Sequence, residues 1–310
     1  MTNPIESPIH ATRRRKPRKK LGQRGKGRSF FAVSLCILIF AVVYTFAGDN
    51  LFPDRALLLG EGEIIVTFLD VGQGDSILVR SNDHAVLIDG GDRRYRNVIL
   101  DYLQHAGVRH LDYVIATHPH SDHIGGLVAV LGLVDVSGVV MPDILNATET
   151  FENFLAAIEN NNIPVTFPSS GDRIIAGIID MTVVAPVQNH GHMDMNNASI
   201  VLRLEHGQTS FLFTGDAERE SEQLMISGDI DLGSDVLKVG HHGSRTSTVG
   251  AFLDAVSPTI AVITVGENNR FGHPHQEVID RLIERDIHIL RTDHSGTIRM
   301  ITNGYSIYLY

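Results

Sequence analysis

The sequence predicts a four-layer α/β/β/α sandwich, in which two packed sheets are covered by helices on their outer faces. Three observations point to it: a block of short β-rich runs at 63–89, a second block at 177–216, and segments at helical spacing beside both. In the first block EIIVTFLD, DSILVR and HAVLID are separated by VGQG and SND, the pattern of a β-meander. NVILDYLQHAG follows with apolar residues at helical spacing and a glycine stop. The apolar run DYVIA then enters the loop THPHSDHIGG, after which IGGLVAVLGLV reads as a helix, SGVVMP as a strand and TFENFLAAIENN as an amphipathic helix. GIIDMTVVAP, SIVLRLEHG and TSFLFTGD form the second strand block. The remainder alternates: helix AERESEQLMISG, strand DVLKVG, helix VGAFLDAVS, strand TIAVITVG, helix HQEVIDRLIERD, then strands HILRT and TIRMI. No repeat of solenoid length is visible.

Length and charge divide the chain. Its 310 residues, 43% hydrophobic, suffice for one core of roughly 200 to 250 residues plus an appendage. Residues 1–48 carry ten Lys or Arg against Glu6 alone, a balance of +9; that leaves 16 of the 26 basic and 35 of the 36 acidic groups for the body, a balance of -19. Such a body is not a general polyanion binder. Residues 30–47 contain no charge, Pro or Gly, and as a helix of about 27 Å they are just long enough to span a bilayer. The expectation is therefore a basic cytoplasmic tail (1–29), a membrane-spanning helix (30–47), a linker (48–61) and an extracytoplasmic domain (62–310). A cleaved signal peptide with Thr45-Phe46-Ala47 at its end is the alternative, and it delivers the body to the same side. Cys36, the single cysteine, lies within the span, so intramolecular disulfides and thiolate metal ligands are excluded.

The loop at 117–126 concentrates His118, His120, Asp122 and His123 within six positions. Imidazole and carboxylate without thiolate suit Zn²⁺ or Mn²⁺, and four such groups at this spacing suit two ions a few Å apart. FLFTGD ends an apolar strand in Asp216, a candidate bridging carboxylate, although Gly-Asp after a strand is also an ordinary helix cap. DVLKVGHHGS adds His241 and His242, and RFGHPH adds His273 and His275, each pair at the end of a separate segment.

TFLDVGQGDSILV, AVLIDGG, THPHSDHIGG, NNASIVLRL, FLFTGDAE, LKVGHHGS and FGHPH together resemble the metallo-β-lactamase superfamily. Within it they are similar to the extracytoplasmic hydrolase domain of ComEC-type DNA-uptake proteins. The resemblance implies the sandwich fold, a binuclear site of two divalent ions and hydrolysis, with a phosphodiester as the expected substrate. Position by position, it implies that His118 and His120 hold one ion, Asp122 and His123 the second, that Asp216 bridges them, and that His241 or His242 completes the second. Asp89 would fix the ligand loop from behind, and Asp75 and Gln73 would line the site. Two departures stand out. ComEC-type proteins carry a many-helix channel, whereas one candidate span is present here, so DNA transport is not expected of this chain itself. The superfamily's usual histidine between the loop and the bridging Asp is also replaced by NNAS, leaving Asn196, His190 and His192 as candidates.

Two ions would supply an activated water and neutralise phosphoryl charge, so no nucleophilic side chain is required and Ser244 is expected at most to contact substrate. His273 or His275 would donate to a phosphoryl oxygen or protonate the leaving group, and Arg245 and Arg270 would contact phosphate. The leading expectation is a membrane-anchored phosphodiesterase or nuclease acting on single-stranded nucleic acid. Hydrolysis of a smaller ester (a wall or lipid head-group phosphodiester, or a lactone) and a catalytically inactive surface binding module are the alternatives. A binding module would not require the complete set of ligands.

Overall fold

The computed structural model describes residues 59–187 and 193–310. The segment at 30–47, His190 and His192 lie outside the described residues, among which no helix is long and apolar enough to cross a membrane. The first sheet runs Ile307–Leu309, Ile298–Thr302, Ile64–Phe68, Ile77–Arg80, Ala85–Ile88, Tyr113–Ile115, Val139–Val140, Val165–Thr166 from edge to edge. Its meander strands are antiparallel, and Tyr113–Ile115 joins Ala85–Ile88 in parallel. The second sheet runs His288–Arg291, Ile260–Ile263, Val236–Lys238, Thr209–Phe213, Val201–His206, Ile179–Ala185, Arg173–Ala176, with the first four strands parallel.

The strands IIVTF, ILVR and AVLI are buried at every position, because both faces of the sheet are covered. Successive side chains enter different layers. Val66, Phe68, Val79 and Ile88 meet Met181, Leu202, Phe211 and Phe213 between the sheets. Leu78, Leu87 and Val114 pack outward on Ile99, Leu103, Leu127 and Phe154 from helices Arg96–His105, Leu127–Leu133 and Glu149–Asn160. On the far side Leu212, Leu237 and Ala261 meet Met225, Phe252, Val256 and Leu282 from helices Arg219–Ser227, Gly250–Val256 and Gln276–Ile283. The four expected layers are thus present. Sequence reading missed Arg173–Ala176, because DRIIAGIIDM looks like one apolar run; a turn at Gly177, with φ at +59°, folds it into a hairpin.

Parallel strands of both sheets deliver their carboxyl ends to one rim. Ile115 leads into Thr117-His118, Phe213 into Gly215-Asp216, Lys238 into His241-His242 and Ile263 into Thr264. Loops at such strand ends are the usual place for a binding site in α/β architecture.

Candidate metal centre

The ligand loop is held from beneath. Asp89 is fully buried and accepts the Thr117 N–H at 2.8 Å, the Thr117 hydroxyl at 2.7 Å and His123 Nδ1 at 2.7 Å. One carboxylate therefore fixes both ends of the THPHSDH segment. The VGQG turn closes on it from the side, where Asp75 N–H donates to the Asp122 carbonyl at 3.2 Å. A Cβ on Gly74 would lie 2.2 Å from that carbonyl oxygen, so only glycine permits the approach.

Around Asp216 the ring nitrogens converge. Its Oδ2 lies 3.3 Å from His123 Nε2, 3.7 Å from His118 Nε2 and 3.7 Å from His241 Nε2. Its Oδ1 lies 3.5 Å from His242 Nε2, which is 3.6 Å from Asp122 Oδ2. His120 Nδ1 comes within 3.0 Å of His118 Nε2. Both members of the His241-His242 pair therefore reach Asp216, one toward each oxygen. They do so through consecutive left-handed backbones, φ 46° and 55°, a strain of roughly 1–3 kcal/mol each that surrounding contacts must hold. Behind the rings, His241 Nδ1 meets Glu218 Oε1 at 2.7 Å and His242 Nδ1 donates to the Thr264 carbonyl at 2.9 Å. Each partner fixes which nitrogen faces inward.

Lys238 is the residue that sequence reading passed over. It is fully buried at its strand end, donates to the Gly215 carbonyl at 2.8 Å, pairs with Asp75 Oδ2 and stands 3.9 Å from Asp216 Oδ1. Asp75 in turn lies 3.3 Å from His242 Nδ1, so it sits behind that ring. A lysine inside the apolar strand DVLKVG was the available signal, since lysine is almost never fully buried unless paired.

The donor set fits divalent ions. His123 Nε2, His242 Nε2 and Asp216 Oδ1 are buried, without a hydrogen-bond partner, and turned toward one another. His118, His123 and Asp216 have ligand atoms close enough to share an ion, as have Asp122, His123 and His242. Asp75, Asp89, Asp122 and Asp216 face the one ammonium of Lys238, so carboxylates outnumber fixed cations around the imidazoles. Burial alone would lower the His242 imidazolium, but Asp216, Asp122 and Asp75 outweigh it and push it up to about 9. Burial together with His123 holds His118 well below the usual imidazole range, leaving it neutral. Below about pH 9 an ion binding at His242 must displace a proton. Affinity is expected to rise with pH by about tenfold per unit for each proton released, levelling off above that value. Calorimetric titration in two buffers of different ionisation enthalpy checks this; binding without proton release contradicts it.

The outer residues separate into two groups. His273 is half-buried with its ring 5.5 Å from that of His241 and 6.4 Å from that of His242; burial, then His242 and His241, lower it to about 4. His275 lies further out, its Nδ1 accepting the Arg245 N–H at 3.1 Å. Ser244 is buried and hydrogen-bonded to Thr246 at 2.8 Å, a contact within its own loop. Arg245 pairs with Glu277 at 3.6 Å on the exposed rim. Asn196 donates to Glu218 at 3.3 Å, and its buried Oδ1 has no partner. Gln73 and Arg270 line, with Asp122, a cleft of about 720 Å³ opening beside the centre.

Two sheets, covered by helices and carrying this histidine-aspartate cluster on one rim, define a metallo-hydrolase framework. The chain belongs to the metallo-β-lactamase superfamily, whose pattern matches residues 69–267. It is 35% identical over 260 residues to ComE operon protein 3 of Bacillus subtilis (strain 168), covering 78% of this chain and 33% of that protein. It is likewise 35% identical over 241 residues to Competence protein ComA of Neisseria gonorrhoeae, covering 77% and 32%. The chain thus spans about a third of the length of the curated relatives it matches. Among solved structures it is similar to CmlA, a diiron β-hydroxylase from Streptomyces venezuelae, with TM-score 0.52, 13% identity and coverage of 77% of this chain and 54% of that one. The metallo-β-lactamase fold protein YhfI from Bacillus subtilis gives TM-score 0.52 and 13% identity, covering 77% and 100%. These last two show the fold alone.

Proposed function

We propose that the chain is a two-ion phosphodiesterase whose substrate is single-stranded nucleic acid, anchored outside the cytoplasm by residues 30–47. The observation that carries the hydrolytic reading is the convergence of four imidazoles on the two oxygens of buried Asp216. In this reading His118, His120 and His241 would hold one ion and Asp122, His123 and His242 the other, with Zn²⁺ or Mn²⁺ as the metal and Asp216 available to both. When bound, such ions activate water and neutralise developing phosphoryl charge. The protein's own groups do the rest: Asp89, Glu218 and the Thr264 carbonyl orient three of the rings, and Lys238 holds Asp75 behind His242. His241 takes the place of the histidine missing upstream, and Asn196 braces it through Glu218. Burial lowers both imidazoles, with Arg245 adding to it at His275 and His242 and His241 bringing His273 to about 4, so His275, further from the centre, is the better proton donor to a leaving alkoxide.

The competence proteins among the relatives support a nucleic-acid substrate, while the acidic body limits how it is bound. Affinity then comes from the ions and local contacts, so weak binding to duplex DNA and a shallow salt dependence are expected. Arg270→Ala is expected to lower turnover of a single-stranded oligonucleotide by up to about fivefold with little effect on a small chromogenic diester. Arg245→Ala should do less, because Glu277 already engages that guanidinium. Steady-state kinetics on the two substrates decides; equal losses on both would favour the small-ester alternative.

A further inference from the structure

Within the nucleic-acid reading, on which this inference rests, we propose that Arg270, Phe271 and His273 form a stacking column that seats one base of the substrate beside the metal centre. The three flat groups are in contact. The Arg270 guanidinium lies over the Phe271 ring at 4.9 Å, and that ring stacks on His273 with centroids 5.7 Å apart and 23° between planes. His273 continues inward to His241 at 5.5 Å, so a series of ring contacts runs from the surface to the metal centre.

The column is presented, not merely exposed. Phe271 is 48% accessible, a large apolar ring left in the wall of a cleft that reaches Asp122. Its loop is cinched by Asn269, whose Oδ1 accepts the Phe271 N–H at 3.2 Å and the His273 N–H at 3.0 Å. The Asn269 Nδ2 donates to the Gly266 carbonyl at 3.0 Å and the His273 carbonyl at 2.6 Å. Four hydrogen bonds from one side chain fix the backbone that carries the ring. Among the described residues no carboxylate pairs with Arg270, so the face of its guanidinium turned away from Phe271, and its charge, remain available. Of the acidic groups of the same cleft, Asp92 pairs with Arg94 at 2.9 Å, Asp293 pairs with Arg291 at 2.6 Å and Asp70 accepts the Gly72 N–H at 3.1 Å, while Glu267 stands exposed on its wall.

Stacking also answers the charge problem. Every base offers a π-face, and aromatic rings and arginine planes bind it without a field of lysines. A body with 35 acidic groups against 16 basic ones would gain substrate affinity in this way against its own net negative charge.

The test compares the metal-loaded full chain and its Phe271 variants on an oligothymidylate and on the same strand with a single abasic residue moved along it. For the wild type, one abasic position is expected to cost about tenfold in kcat/KM. Phe271→Ala should lose a similar factor on the intact strand and little more on the strand abasic at that position. Phe271→Trp should restore most of the loss and Phe271→Leu should not. A 2-aminopurine base at the sensitive position should be quenched on binding, and Phe271→Ala should abolish the quenching. Cleavage that is indifferent to every abasic position, or equal Phe271→Ala losses on both strands, would overturn the column while leaving the nuclease reading standing. Failure of the wild type to cut either strand, with a small diester still hydrolysed, would overturn both.

Discussion

Asp216→Ala is expected to reduce phosphodiester turnover by on the order of 10³-fold or more and to leave fewer than two ions per chain, with the fold retained. The carboxylate is 2% exposed and faces two sets of imidazoles through its two oxygens, so its removal would affect both of the proposed ion positions at once. Its backbone N–H donates to Ser199 Oγ, a contact the alanine variant keeps, and the strand Thr209–Phe213 before it is fixed on both sides by neighbouring strands. Elemental analysis and circular dichroism of the purified variant check the two halves of this expectation. Two ions per chain in Asp216→Ala would show that the bridge lies elsewhere.

Lys238→Met should give the largest loss of stability. It strips the buried Asp75 of its cation, and breaking a buried pair from one side costs about 3–5 kcal/mol, or roughly 10 °C in Tm for a domain of this size. Burial pushes the Asp75 carboxyl up, yet Lys238 foremost, with His242 and His123, brings it below the usual carboxylate range. Adding Asp75→Asn to Lys238→Met removes the stranded charge and is expected to recover most of the stability. Thermal denaturation of the two single variants and the double variant measures the coupling. Additive losses would mean that the pair does not act as a unit.

Much of this centre was legible because metal ligation concentrates rare residue types at short spacing. THPHSDH and HHGS stand out in any strand-loop pattern, and the two strand blocks announce the sandwich. What was not legible depends on long-range packing. No local signal separates His241 from His242; only the left-handed turn, with Glu218 behind one ring and Thr264 behind the other, assigns them to different oxygens of Asp216. Lys238 lies about 160 positions from Asp75, and the ion pair exists because the two sheets meet at their rims. The sequence places Ser244 and Arg245 next to HHGS, but the folded loop turns one toward Thr246 and the other toward Glu277. Phe271 was hidden for the opposite reason: within RFGHPH the histidines drew the chemistry, and a single exposed ring has no periodicity to read.

The most direct test of the proposed two-ion phosphodiesterase activity is cleavage of a 5′-labelled single-stranded oligonucleotide by the full chain loaded with Mn²⁺ or Zn²⁺, with Asp216→Ala run in parallel. Cutting that stops on chelation, resumes on adding metal back and is absent from the variant is the predicted result. Chelator-sensitive hydrolysis of a small ester with every oligonucleotide left intact would contradict it.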